Sequence, residues 1–197
     1  MFSSEDGRLL GAQVVGFDGV DKRIDVLATA MRASMTVFDL EHLELCYAPP
    51  FGSAKDPVNM AGFLGSNLLR GDHRFWYPED YPNKTQQGQI VDVRTPKEYA
   101  EWHIPGAVNI PLNTLRDRLC DLSPHQPLFV YCRVGFRGYL AYRILVQTGF
   151  EQTLNLAGGA LTFSSFHRTA YSTGRANYPA IAHAEDQIAE QMIAAQV

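Results

Sequence analysis

The sequence predicts an α/β protein, with a parallel sheet covered by helices on both faces in its second half. Three observations carry this. From Gln89 onward, short apolar runs rich in β-branched and aromatic residues ("QIVDVR", "LFVYC", "TLNL") alternate with stretches of helical periodicity. The run "LFVYC" has no polar alternation, as expected of a strand buried on both faces. Proline and glycine punctuate the joins: Thr95-Pro96 opens one helix, with Glu98 completing a capping box, and Gly149 closes another as a left-handed cap. Between these, "HIPGAVNIPL" reads as a turn and short strand, "LNTLRDRLCDL" as an amphipathic helix, and "RGYLAYRILVQTG" as a helix with Leu140, Ile144 and Leu145 inward.

The first half has a different grammar. Residues 7–17 read as a strand or hairpin arm. Ile24, Leu27, Ala28, Met31 and Met35 recur at helical spacing, with Asp21 placed to cap that helix. Thr36 with Asp39 forms a capping-box pattern, and Asp56-Pro57 opens a further helix after the loop "YAPPFGSAKDP". Residues 71–87, with two prolines and many polar groups, read as a linker. The segments are therefore 1–70, a linker at 71–87, a sheet domain at 88–163, and an extension at 164–197 that ends in the helical pattern "AEDQIAEQMIAAQV".

Composition excludes several classes. The chain has 197 residues, 46% of them hydrophobic, enough for a packed core, and a net charge of −4. No segment is basic enough to predict nucleic-acid binding, and no run is long and apolar enough to predict a membrane span. The N-terminus lacks a signal-peptide pattern, and the three cysteines (Cys46, Cys120, Cys132) are odd in number and far apart, which fits a reducing, cytoplasmic setting. None of the His and Cys spacings suggests a metal site.

The chemistry centres on "VYCRVGFRG". Cys132 stands at the carboxyl end of a parallel strand, where ligands bind in open sheets. Gly135 and Gly138 let the following loop curl so that backbone N–H groups converge at a helix N-terminus, an anion nest. Such a terminus contributes up to about 2 kcal/mol toward a negative charge in a favourable geometry. Arg133 and Arg137 add positive charge, so thiolate chemistry needs no histidine base. The plain alternative is a buried structural cysteine. Asp92, Arg94 and Glu98 read as a polar network at the sheet end, His103 as a structural histidine, and Cys46 and Cys120 as core residues.

"IVDVRTPKEYAEWHIPGAVNIPL", "VYCRVGFRG" and "NLAGGALTF", in that order, resemble the rhodanese-like sulfurtransferases over about residues 88–163. The resemblance implies a rhodanese-like fold in which Cys132 takes a sulfane sulfur, holds it as a persulfide and passes it to an acceptor. The active-site loop would be Cys132, Arg133, Val134, Gly135, Phe136, Arg137 and Gly138, with Arg133 and Arg137 attracting an anionic donor such as thiosulfate. Phosphatases of the same fold carry the cysteine and arginine one residue further apart. The six residues from Cys132 to Arg137 match the sulfurtransferase length.

"GFDGVDKRIDVLATAMRASMTVFDLEHLELCYAPPFGSAKDPVNMAGF" is similar to the C-terminal part of the dimerisation domain of flavin-dependent pyridine-nucleotide disulfide reductases, an α+β segment that is only partial here. The branch most like it joins coenzyme A disulfide reductase to a C-terminal rhodanese domain. That resemblance implies Tyr47 as the tyrosine reaching the partner subunit's flavin site, and a homodimer or a flavoprotein reductase partner. No GxGxxG follows a strand, so FAD, NAD(P)H and coenzyme A are expected only if the chain belongs to a longer reductase, with no cofactor bound by this chain itself. Small sulfur donors and thiol acceptors are the expected partners. A carrier that binds persulfides without turnover is a third reading.

Overall fold

The computed structural model describes residues 1–50 and 52–172, with side chains through residue 168. The chain divides into two compact units, Met1–Asp72 and a second beginning at His73. Among the described residues, no helix is long and apolar enough to cross a membrane.

The first unit is built from helices α1 (Val20–Arg32), α2 (Val37–Glu41) and α3 (Pro57–Leu69). Both expected caps of α2 and α3 form. Thr36 accepts from the Asp39 N–H while Asp39 accepts from the Thr36 N–H, and Asp56 caps α3 with Pro57 in its first turn. Asn59, buried, donates to the Leu40 and Leu43 carbonyls at 3.0 and 2.9 Å, satisfying the end of α2. Ala30, Leu40 and Val58 form the small core. Two expectations differ. Residues 7–17 make no strand: the N-terminal pairing is limited to the bridges Phe2↔Leu9 and Arg8↔Thr36, too short a ladder to hold an extended arm. Helix α1 is capped by Gly19 in the left-handed region, without a side-chain bond, and Asp21 lies inside its first turn, where it favours the helix dipole instead.

The second unit is a five-stranded parallel sheet in the order β1-β5-β4-β2-β3. The strands are β1 (Phe75–Trp76), β2 (Gln89–Asp92), β3 (Val108–Asn109), β4 (Leu128–Tyr131) and β5 (Thr153–Leu156). Helices α4 (Pro96–Glu101), α5 (Phe136–Gln147) and α6 (Gly159–Ser172) join and follow them. The central strand β4 is buried on both faces. Leu128, Val130 and Cys132 face one core with Val91, Ala141 and Leu145. Phe129 and Tyr131 face the other with Trp76, Leu156 and Phe163. This alternation is the period of a strand covered on both sides.

The segment read as a linker contributes to this unit. Within 71–87, β1 pairs with β5 (Phe75↔Asn155, Trp76↔Leu156), and Trp76 is fully buried, its indole N–H donating to the Val130 carbonyl at 3.1 Å. The proline- and glycine-rich composition hid a two-residue strand too short to show periodicity. Residues 112–121 form a 3₁₀ run kinked at Arg118 rather than an α-helix. Leu140 is 37% exposed, while Ile144 and Leu145 are buried as expected. Helix α6 begins within the glycine pair and runs across the start of the expected extension, and the helical pattern at 184–197 lies outside the described residues. Cys46 and Cys120 are exposed, not core.

Trp76→Ala should therefore destabilise the protein by about 3–5 kcal/mol, the cost of emptying a large aromatic site in a packed core. Urea denaturation measures this, and a stability equal to that of the wild type would show that β1 does not close the sheet.

Candidate active site

Cys132 directly follows β4, so the strand sets its position and the alternation of side chains turns it toward α5. The chain then bends through Arg133, Val134 and Gly135 into α5. Gly135 caps that helix at φ 109°, a conformation strained for any residue with a side chain. The bend brings the Gly135 N–H to 3.1 Å from Cys132 Sγ. Cys132 is thus only 1% exposed, yet its sulfur has a backbone donor at a helix N-terminus.

Helix α6 braces the bend from outside. The Ala160 and Leu161 N–H groups donate to the Cys132 and Arg133 carbonyls at 2.8 and 3.1 Å. Because a trans peptide sets C=O and N–H on opposite sides, these bonds turn the Arg133 and Val134 N–H groups away from α6. The approach requires Gly159: a Cβ there would stand 2.6 Å from the Cys132 and Arg133 carbonyl oxygens.

The charged residues separate into two pairs rather than one network. Asp92 and Arg94 form a buried, bidentate ion pair, and Arg94 also donates to the Trp102 carbonyl. Tyr131 lies beside them, with the Ile104 N–H donating to its hydroxyl at 3.1 Å. Burial and the Asp92 charge push its phenol well above the ordinary value. Glu98 is elsewhere. It closes the Thr95 capping box and accepts two bonds from Arg137, at 2.8 and 2.6 Å. Those bonds, with further ones from Thr95, hold the Glu98 carboxyl at about 2, below the usual carboxylate range. Arg137 is therefore bound to Glu98, and it stands close enough to Cys132 and Asp92 for its charge to act on both. Arg133 is exposed and makes no ion pair among the described residues, and its neighbours Val134 and Phe136 are 59% and 60% exposed. Gly138 is buried in the first turn of α5.

Other candidates lie apart from the sulfur chemistry. His103 bonds through Nδ1 to the Tyr99 carbonyl at 2.9 Å and stacks on the Tyr99 ring. Trp102 packs with the Phe163 core. Tyr47 is 55% exposed in the first unit. The described residues of that unit hold helices and isolated bridges. Among the described residues, no cluster of His, Cys, Asp or Glu could hold a metal ion.

Sequence reasoning missed Asn155 and His73. Asn155 Nδ2 donates to the Gly135 carbonyl at 3.1 Å, and its available signal was a lone amide inside an apolar strand. His73, nearly fully buried, lies 3.2 Å from the same Nδ2, and no local pattern marks it.

The rhodanese-like domain family matches residues 78–165. A sulfurtransferase of Allochromatium vinosum is 35% identical over 80 residues, 41% of this chain and 75% of that protein. The crystal structure of reduced Bacillus anthracis CoADR-RHD aligns with a TM-score of 0.81 and 41% identity, covering 85% of this chain and 30% of that one. An NAD-dependent persulfide reductase from A. fulgidus aligns with a TM-score of 0.66 and 35% identity, covering 75% of this chain and 26% of that one. The chain thus spans three quarters of the first protein and less than a third of the other two. With its parallel sheet and the cysteine loop at the end of β4, the chain belongs to the rhodanese-like family of sulfurtransferases.

Proposed function

We propose that Cys132 is the sulfur-carrying nucleophile. The observation that carries this is the Gly135 N–H aimed at Sγ from the N-terminus of α5. With thiosulfate as donor, the Cys132 thiolate attacks the outer sulfur. The S–S bond of the donor breaks, sulfite leaves with the electron pair, and Cys132 becomes a persulfide. A thiolate or cyanide acceptor then attacks the terminal sulfur, and the Cys132 thiolate is the leaving group. The Gly135 N–H serves both steps, since each places negative charge on sulfur inside the loop. An exposed Arg133 with no ion pair among the described residues, and an Arg137 whose charge acts on Cys132, support attraction of an anionic donor.

A second reading is favoured by one finding. The Bacillus anthracis structure covers 85% of this chain, more than the second unit alone can supply, so the likeness extends into the first unit. On this reading the chain corresponds to the C-terminal part of a flavin-dependent coenzyme A disulfide or persulfide reductase, with Tyr47 serving the flavin site of a partner subunit in a homodimer. Coding sequence continuing upstream of Met1 into a strand followed by GxGxxG would support it. An in-frame stop codon just upstream would remove it for this gene. The chain as given should catalyse sulfur transfer without oxidising NADH.

Cys132→Ser should abolish thiosulfate-to-cyanide transfer, and a serine variant with full activity would reject Cys132 as nucleophile. Arg133→Ala should raise KM for thiosulfate about two- to fivefold with little change in kcat, the scale of one exposed charge contact. An unchanged KM would remove Arg133 from donor binding. Glu98 supplies a pH prediction. Its folded carboxyl titrates at about 2 against 4.5 when unperturbed, so its stabilisation is full above about 4.5 and fades as pH falls through about 2. Glu98→Gln should therefore lower the urea midpoint at pH 5–7, and the gap from wild type should close toward pH 2. A gap independent of pH would show that the charge is not the stabilising element.

A further inference from the structure

Asn155 and His73 form a buried support beneath the sulfur loop. Asn155 lies on β5 opposite Val130 of β4 and Phe75 of β1, and its residue is 1% exposed. Its Nδ2 reaches the Gly135 carbonyl at 3.1 Å and His73 Nε2 at 3.2 Å. The carbonyl can only accept, so Nδ2 is the NH₂ end of the amide. A flipped amide would set two oxygens against each other. The second hydrogen of the NH₂ then points to His73, whose Nε2 must accept it. The imidazole proton sits on Nδ1, which has no hydrogen-bond partner among the described residues and lies among the rings of Phe75, Tyr139 and Tyr142. Burial, with the nearby Arg143 charge, holds His73 down at about 4, so the ring is neutral at neutral pH.

The fit is close on the other side as well. A Cβ on Gly138 would stand 2.1 Å from Asn155 Oδ1, so the amide lies flush against the first turn of α5. Gly135 thus has both ends engaged: its carbonyl by Asn155 and by the Tyr139 N–H at 2.8 Å, its N–H by the sulfur. Gly135, with no side chain to restrict its torsions, depends on such contacts to keep its N–H aimed.

We propose that His73 is a positioning residue for sulfur transfer, orienting the Asn155 amide so that it holds the Gly135 carbonyl and thereby the Gly135 N–H that faces Cys132 Sγ. The inference rests on Cys132 as the reacting thiol. It places a determinant of that site at residue 73, outside the residues 78–165 matched by the family. Nothing in the loop sequence points to it.

The test uses the full chain with Cys46→Ser and Cys120→Ser, which leaves Cys132 as its one thiol. Two rates are measured: alkylation of Cys132 by iodoacetamide at pH 7, and thiosulfate-to-cyanide turnover resolved into kcat and KM. His73→Phe keeps a ring among its aromatic neighbours and removes the acceptor. His73→Gln restores an acceptor near the Nε2 position. Asn155→Leu removes the bond to Gly135 itself. His73→Phe and Asn155→Leu should each slow alkylation and lower kcat about five- to tenfold, the scale of one lost hydrogen bond at a reacting group, with KM within twofold. His73→Gln should return both rates to within twofold of the parent. A His73→Phe protein with parental rates overturns the proposal, as does a His73→Gln protein as slow as His73→Phe, which would make the role one of packing. Parental rates in Asn155→Leu overturn it alone, and decide the matter if His73→Phe does not fold. If the parent protein transfers no sulfur yet the alkylation rates follow the expected order, the catalytic reading fails and the positioning role stands.

Discussion

A buried sulfur that is to carry negative charge needs a polar partner, and the Gly135 N–H stands 3.1 Å from Cys132 Sγ. Much of the local architecture serves that contact. It requires the chain to reverse within three residues, which places Gly135 at positive φ and starts α5 immediately afterwards. It requires the outer carbonyls of the bend to find donors elsewhere, and the first turn of α6 provides them. That in turn requires Gly159, because no side chain fits between the two segments. Gly135 and Gly159 are thus parts of one constraint, although more than twenty residues separate them in sequence.

The charges follow from the same economy of space. A carboxylate close to the sulfur would oppose a thiolate, and Glu98 does approach α5, but bound to Arg137 and the Thr95 cap it presents a compensated charge. Asp92, fully buried, is matched by Arg94 in a bidentate pair, so the sheet end carries no unpaired carboxylate there. Arg133, by contrast, makes no ion pair among the described residues. The motif's two arginines therefore divide the work: one ties the helix start to α4, the other is left exposed.

How far the sequence could be read depends on the range of each contact. Caps are local, and Thr36, Asp56 and Thr95 were legible because cap and partner lie within three residues. The strands β2, β4 and β5 were legible because burial on two faces leaves an apolar run. β1 was not, since two residues cannot display a period, and its partner β5 lies some eighty residues away. The loop from Cys132 to Gly138 was legible as a motif, but the bond from Arg137 to Glu98 was not, because Glu98 reads in sequence as a cap and a member of the Asp92 and Arg94 network, 39 residues from Arg137. His73 and Asn155 are further still, at 82 residues, and only the amide within "TLNL" was anomalous in its surroundings. Local chemistry was visible, and contacts that the sheet order creates were not.

That difference also separates two definitions of the domain. By likeness of sequence it begins at residue 78, and by packing it begins at His73. Packing is the physically decisive one. Without Phe75 and Trp76, β5 would become the edge strand of the sheet, beside an apolar void in the core that contains Leu156 and Phe163. Asn155 would also lose both the Arg74 carbonyl that accepts from its backbone N–H and the ring that accepts from its side chain. Asn155 is one residue away from the end of β5 and bonds to the loop that holds the sulfur, so loss of β1 would remove contacts from a residue that holds Gly135. The residues ahead of the family match are therefore part of the sulfur site's support as well as of the sheet.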